Sequence, residues 1–246
     1  MPLEDPGSAS LIHGESLAGP TTTVRTGCHD MGVILGSVNK AACASADTIN
    51  VFDIRNPEDP ALLFTITEPG VGQAGTNGRW HSAGFTWDGE ILVAGWEPGG
   101  GVEAECEAID PAVDKSAFFY DAHTGRKLGQ WTLPRSQSAV ENCTIHYYNV
   151  VPLRGGRYVL VSGNYQAGTW VADFTDPANP VTVAWSDPAP HVPTLGGAWS
   201  SYWYNEFVYE SETTTGLNVF RVSDPRLAGA VHLDHLNPQT QAFSLP

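Results

Sequence analysis

A short phrase that returns four times along the chain constrains its fold more than any other feature. The phrase is an apolar run, a turn of Asp/Asn-Pro type, and a second apolar run. It stands at residues 49–57 (INVFDIRNP) followed by 61–66, at 169–177 (TWVADFTDP) followed by 180–185, and at 217–225 (LNVFRVSDP) followed by 229–233. A variant at 117–125 (AFFYDAHTG), followed by 128–133, has Thr-Gly in place of Asp-Pro. β-Branched and aromatic residues on both sides of such a turn specify two short antiparallel strands. A second hairpin precedes the phrase, turning at Gly36, at Asp88-Gly89, at Gly155-Gly156 and at Asn205 in successive copies. Four strands in about 50 residues, repeated, is the mark of β-propeller blades. A β-sandwich also accommodates short strands but gives no reason for a periodic Asp-Pro turn.

The expected fold is therefore all-β, a β-propeller of four-stranded antiparallel blades. The blades fall at 21–68, 78–134 (with an insertion at 98–115), 140–187 and 197–235, with a tail at 236–246. Residues 1–20 carry Asp5-Pro6 and then an apolar run at 9–12, which reads as the outer strand of a preceding blade. About four blades plus an N-terminal partial blade make an open or incomplete propeller. Its unpaired edges are expected to favour self-association.

Charge excludes several function classes. Twelve basic residues against 27 acidic ones leave a net charge of −15 among 246 residues. Such a surface does not track a phosphate backbone, so no nucleic-acid partner is expected. No apolar run approaches the ~18 residues of a membrane span, and the first thirty residues show no secretory leader.

The motifs in combination resemble the LVIVD-repeat β-propellers of bacterial secreted and surface proteins. The matching segments are 27–30 (GCHD), Ala42-Cys43, 81–89 (HSAGFTWDG), 99–101 (GGG), 156–161 (GRYVLV), 173–180 (DFTDPANP) and 236–241 (LNPQTQ), so the likeness runs from about residue 20 to the end. The resemblance implies a propeller and an extracellular or cell-surface location. It implies no settled activity, and the chain departs from the pattern in lacking a leader and further upstream blades.

Aligning the inner hairpins places His29, His81 and His146 at one repeated position, 52 and 65 residues apart, with the region of Trp199 in the fourth copy. The first strand of each blade lines the central channel, so the repeat gathers these three histidines at one mouth. Neutral imidazole is the commonest ligand for transition metals, and three with an open position suit Zn, Cu or Fe. The competing reading is structural: each ring hydrogen-bonds to the backbone of the next blade. Asp30 and Glu97 are candidates to join the site, and Tyr147, Trp199 and Tyr202 to bind a protein, peptide or carbohydrate ligand beside it. Two functions follow. One is an extracellular binding or interaction module with a His-lined site at its channel. The other is a metal-dependent hydrolase, lyase or oxidase.

Four cysteines are too few for a disulfide scaffold. With a turn near Gly36, Cys28 and Cys43 fall opposite each other, and Cys106 in the insertion reaches Cys143. The expected pairs are Cys28–Cys43 and Cys106–Cys143, against the alternatives of four free thiols or a thiolate that joins the histidine ring. The acidic insertion lacks the regular spacing of a calcium loop.

Overall fold

The aspartates that end the repeated strands explain why the chain turns where it does. In the computed structural model, which describes residues 6–14, 27–71, 78–193 and 195–246, Asp53, Asp121 and Asp173 each accept a hydrogen bond on Oδ1 from the backbone N–H two residues on, all at 2.9 Å. These side-chain turns substitute for strand pairing and send the chain back on itself.

The first blade comprises β1 (Asp30–Ile34), β2 (Lys40–Ala44), β3 (Ile49–Asp53) and β4 (Ala61–Ile66). The second comprises β5 (Arg79–Phe85), β6 (Ile91–Glu97), β7 (Ser116–Asp121) and β8 (Lys127–Thr132). The third comprises β9 (Tyr147–Val150), β10 (Val159–Gly163), β11 (Thr169–Asp173) and β12 (Val181–Ser186). All three are antiparallel meanders, as the repeat requires. Their outer pairs share a bulge at the same place, which leaves Leu63, Leu128 and Val183 as the extra residues. A bulge sharpens the strand twist that a blade needs.

The fourth blade departs from expectation. It holds β13 (Ala198–Tyr204), β14 (Phe207–Glu212) and β15 (Gly216–Arg221), and the outer strand expected at 230–233 is not formed. Val231 instead donates its N–H to Pro152 of the third blade, and Leu233 is held by Asn205. Thus β15 is an open edge, with Leu217 69% and Val219 50% exposed. The apolar run at 9–12 is likewise no strand: Leu11 and Ile12 stand exposed in irregular backbone. The rest of the expected N-terminal remnant lies outside the described residues.

The tail has a role the repeat did not signal. Residues 234–246 cross from the fourth blade to the first, where β16 (Thr240–Gln241) pairs in parallel with β1. Ser244 bonds Ser37 and Leu245 donates to the Trp87 carbonyl, so the tail fills the axis between inner strands. What is left there is a cavity of about 30 Å³ between Asp30, Tyr147 and Leu236, room for about one water.

Each gap between neighbouring blades has its own apolar layer. Trp80, Trp96, Phe118 and Ile49 fill the first, Trp131, Trp170, Phe119 and Phe174 the second, and Val161, Val171, Trp203 and Val208 the third. Near the axis the strands come closer still. A methyl group on Gly32 would lie 2.2 Å from the Ala83 carbonyl oxygen, so only glycine lets β1 approach β5. β9 and β13 are close enough to pair directly, Ser200 opposite Tyr147.

Both expected disulfides are formed. Cys28–Cys43 closes 15 residues and pins the start of β1 to the end of β2. Cys106–Cys143 closes 37 residues and ties the insertion to the approach of β9. Chain-entropy arguments give about 3 kcal/mol for the shorter loop and about 4 kcal/mol for the longer. Replacing Cys106 and Cys143 with Ala is therefore expected to lower the urea-unfolding free energy more than replacing Cys28 and Cys43. Equal midpoints with and without reductant would contradict this.

Candidate metal centre at the propeller mouth

Each residue of the aligned position is set by its local backbone. In β5 and β13 the register slips by one between Trp80 and Ser82 and between Ala198 and Ser200, so His81 and Trp199 are bulged residues aimed out of the ladder. His29 and His146 stand immediately before β1 and β9, and their N–H groups donate to Ala44 and Gly163. The result is a stair of rings. Centroids lie 4.2 Å apart for His29–His81, 4.2 Å for His81–His146 and 4.5 Å for His146–Trp199.

The structural reading and the ligand reading hold together, on opposite nitrogens. His29 Nδ1 donates to the His81 carbonyl at 3.1 Å, and His146 Nδ1 donates to the Trp199 carbonyl at 2.6 Å. A carbonyl only accepts, so Nδ1 carries the proton and Nε2 of the neutral ring keeps its lone pair. The matching carbonyl for His81 would be that of His146, but Ser82 Oγ occupies it at 3.2 Å. His81 Nδ1 and His146 Nε2 are buried without hydrogen-bond partners.

Glu97, the last residue of β6, faces the Nε2 atoms of His81 and His146. Its Oε2 lies 3.9 Å from His81 Nε2 and its Oε1 3.6 Å from His146 Nε2. Tyr165 donates its hydroxyl to Oε1 at 3.0 Å, and Arg79 Nε stands 3.4 Å from Oε2. Ligand atoms of His29, His81 and Glu97 all lie within 4.8 Å of one another, with His29 exposed and the other two buried. Of the three expected histidine ligands, two share this group with the carboxylate, and His146 backs it. Trp199 is 41% exposed beside it.

The remaining candidate residues are half-buried beside the rings. Asp30 accepts from the Met31 N–H and from Gln239 of the tail, and Tyr147 hydrogen-bonds it as well. Burial raises the Asp30 pKa, the hydrogen bonds working against that shift. Tyr147 fits edge-on against His81 and His146. Burial pushes the Tyr202 hydroxyl up to about 12. Asp30, Tyr147 and Tyr202 thus form a half-buried cluster beside the imidazoles, joined to them through Tyr147.

Arg79 and Tyr165 were not apparent from sequence. Arg79 precedes His81 by two positions on the same strand, but the bulge between Trp80 and Ser82 interrupts the alternation, so the strand pattern does not place the two on one face. Tyr165 has φ of 51° in a loop that no periodicity describes. Asn142, in a glycosylation sequon, is buried and donates to the Gly101 carbonyl. Among the acidic residues of the insertion, Glu105 is pushed up to about 7 by burial and by Asp114, Asp110 and Glu103.

No protein-family model and no curated protein matches the chain. Solved structures do. A chain of the mitotic checkpoint complex crystal structure aligns over 88% of this chain and 57% of its own, with TM-score 0.51 and 12% identity. U3-55K aligns over 84% and 54%, with TM-score 0.48 and 13% identity. The computationally designed Ika8 protein aligns over 80% and 48%, with TM-score 0.46 and 16% identity. The chain spans about half the length of these chains. The first likeness is one of fold alone.

Burial and the neighbouring His146, His29 and Arg79 lower the pKa of His81 to about 2. Burial, opposed by the Trp199 hydrogen bond, lowers that of His146 to about 4. Both rings are neutral at neutral pH. A depressed histidine pKa means the unfolded chain takes up the proton first, so stability is full above about 6.5 and falls as pH drops toward 4. Each ring contributes up to about 1.4 kcal/mol per pH unit in that window. Urea unfolding at pH 6.5, 5.5 and 4.5 is expected to show this fall, shallower in His146→Asn; identical slopes would contradict it.

Proposed function

We propose that the chain is an exported, LVIVD-type propeller that acts as an extracellular binding module and takes its ligand at the His-lined mouth through a divalent transition metal, Zn, Cu or Fe. The observation that carries this is the convergence of His29, His81 and Glu97 ligand atoms within 4.8 Å, two of the residues buried. Zinc–ligand bonds of about 2.0–2.2 Å place ligands of a tetrahedral site about 3.4 Å apart, so loading needs a contraction of up to about 1.4 Å. Backbone hydrogen bonds on Nδ1 hold the His29 and His146 rings, as outer partners do in metal sites. Two nearby disulfides fit an oxidising compartment, and among the described residues no helix is long and apolar enough to cross a membrane.

Three protein ligands leave a coordination position open on the side of exposed His29. That supports the enzyme alternative, a metal-dependent hydrolase, lyase or oxidase in which the ion acts as Lewis acid or activates water. Protein stripped with chelator is expected to take up one equivalent of zinc by calorimetry and metal analysis. His81→Ala with Glu97→Gln should weaken uptake at least about hundredfold, in line with loss of ligands. Replacing His232 and His235, exposed in the tail region, should change nothing. Absence of uptake by the wild-type chain would overturn the proposal.

Self-association has its support in the open β15 edge. A strand from a second copy would add there, and Val219→Lys is expected to shift sedimentation from dimer to monomer. An unchanged distribution would remove that edge from the account.

A further inference from the structure

We infer that the loaded mouth is a carboxylate site, in which Arg79 and the bound metal together hold a small aromatic carboxylate against Trp199. The inference rests on the metal reading and goes beyond it by naming the ligand. At the mouth Glu97 and Arg79 form a neutral pair, with the Asp30 carboxylate nearby at Tyr147. The carboxylate and guanidinium of the pair stand 3.4 Å apart, and metal-binding imidazoles are neutral. A divalent ion adds two positive charges to that pair in a largely buried place, and the open coordination position is where an anion would enter.

Arg79 is placed to receive the anion. Its Nε makes no hydrogen bond, because 3.4 Å to Glu97 is an ion-pair distance without bonding geometry. Its side chain is 23% exposed, against 4% for Glu97. Among the described residues no hydrogen bond uses its terminal nitrogens, which leaves a planar fork of donors. That fork matches a carboxylate in two-point contact. When the ion draws Glu97 to itself, Arg79 loses its partner and turns to the incoming anion.

Trp199 defines the body of the ligand. It occupies the fourth place in the stair of rings, packs edge-on against His146 and Tyr165, and keeps 41% of its surface exposed. A flat unsaturated group stacks there at little conformational cost. The rest of the molecule argues for an ordered sequence. A net charge of −15 disfavours anions at the unloaded protein, so the ion comes first and the carboxylate second.

Thermodynamic reciprocity makes this testable. Zinc is titrated into metal-free protein with and without saturating benzoate, and benzoate into zinc-loaded and metal-free protein; acetate replaces benzoate as the control without a ring. The expected result is zinc affinity raised about tenfold by benzoate, benzoate affinity raised by the same factor by zinc, and a smaller effect for acetate. In Arg79→Gln two effects separate: zinc binds more tightly, because Glu97 has lost its competing cation, while the benzoate effect disappears. Arg79→Lys, which keeps the charge and loses the fork, should retain part of it and covers the case in which the glutamine variant fails to fold. Zinc uptake that is indifferent to benzoate, or a benzoate effect preserved in Arg79→Gln, would overturn the carboxylate site and leave the metal centre standing. A wild-type chain that takes up no zinc would overturn both.

Discussion

The close approach of the inner strands around the axis is the constraint on which the rest depends. Gly32 lets β1 lie against the Ala83 carbonyl of β5, and β9 and β13 come together at Tyr147 and Ser200. At that spacing residues at one repeated position cannot avoid one another. Rings 4.2 Å apart leave no room for water between them. Burial then does the electrostatic work, keeping His81 and His146 neutral and holding Glu97 beside them. The tail enforces the crowding by threading the axis and pairing with β1.

A site of this kind costs stability. An unsatisfied buried polar atom costs about 1–3 kcal/mol, and His81 Nδ1 and His146 Nε2 are two such atoms within one cluster. The carboxylate of Glu97 is kept in the interior by Tyr165, Arg79 and two imidazoles that do not carry charge. Packing alone would be served better by apolar side chains at these positions. The orphaned Nε2 lone pair of His146 facing the Glu97 carboxylate, with an exposed histidine at the open side, is the arrangement a cation would complete.

How much of this was legible in the sequence follows from which forces are local. The Asp-Pro phrase encodes a turn and two strands through side-chain hydrogen bonds two residues long, so three blades were readable, as was the ring of histidines that the repeat implies. The disulfides followed from strand register. What failed was the last copy. The run at 229–233 has the composition of an outer strand, yet Val231 finds the Pro152 carbonyl and Leu233 finds Asn205, and these long-range bonds outcompete pairing with β15. The same holds for β16, whose parallel partner lies over two hundred residues away. Glu97 was visible as the end of a strand. Arg79 and Tyr165 were not, because their roles depend on where Glu97 points, which no local pattern states.

The claim that organises this account is that the mouth of the propeller is a metal site built from two imidazoles and a carboxylate. X-ray absorption at the zinc edge on stoichiometrically loaded protein tests it most directly. The account predicts imidazole nitrogen and carboxylate oxygen scatterers at about 2.0–2.1 Å, no sulfur, and loss of an oxygen scatterer in Glu97→Gln. An all-oxygen shell without imidazole, or a spectrum unchanged by removing His29, His81 and Glu97, would contradict it.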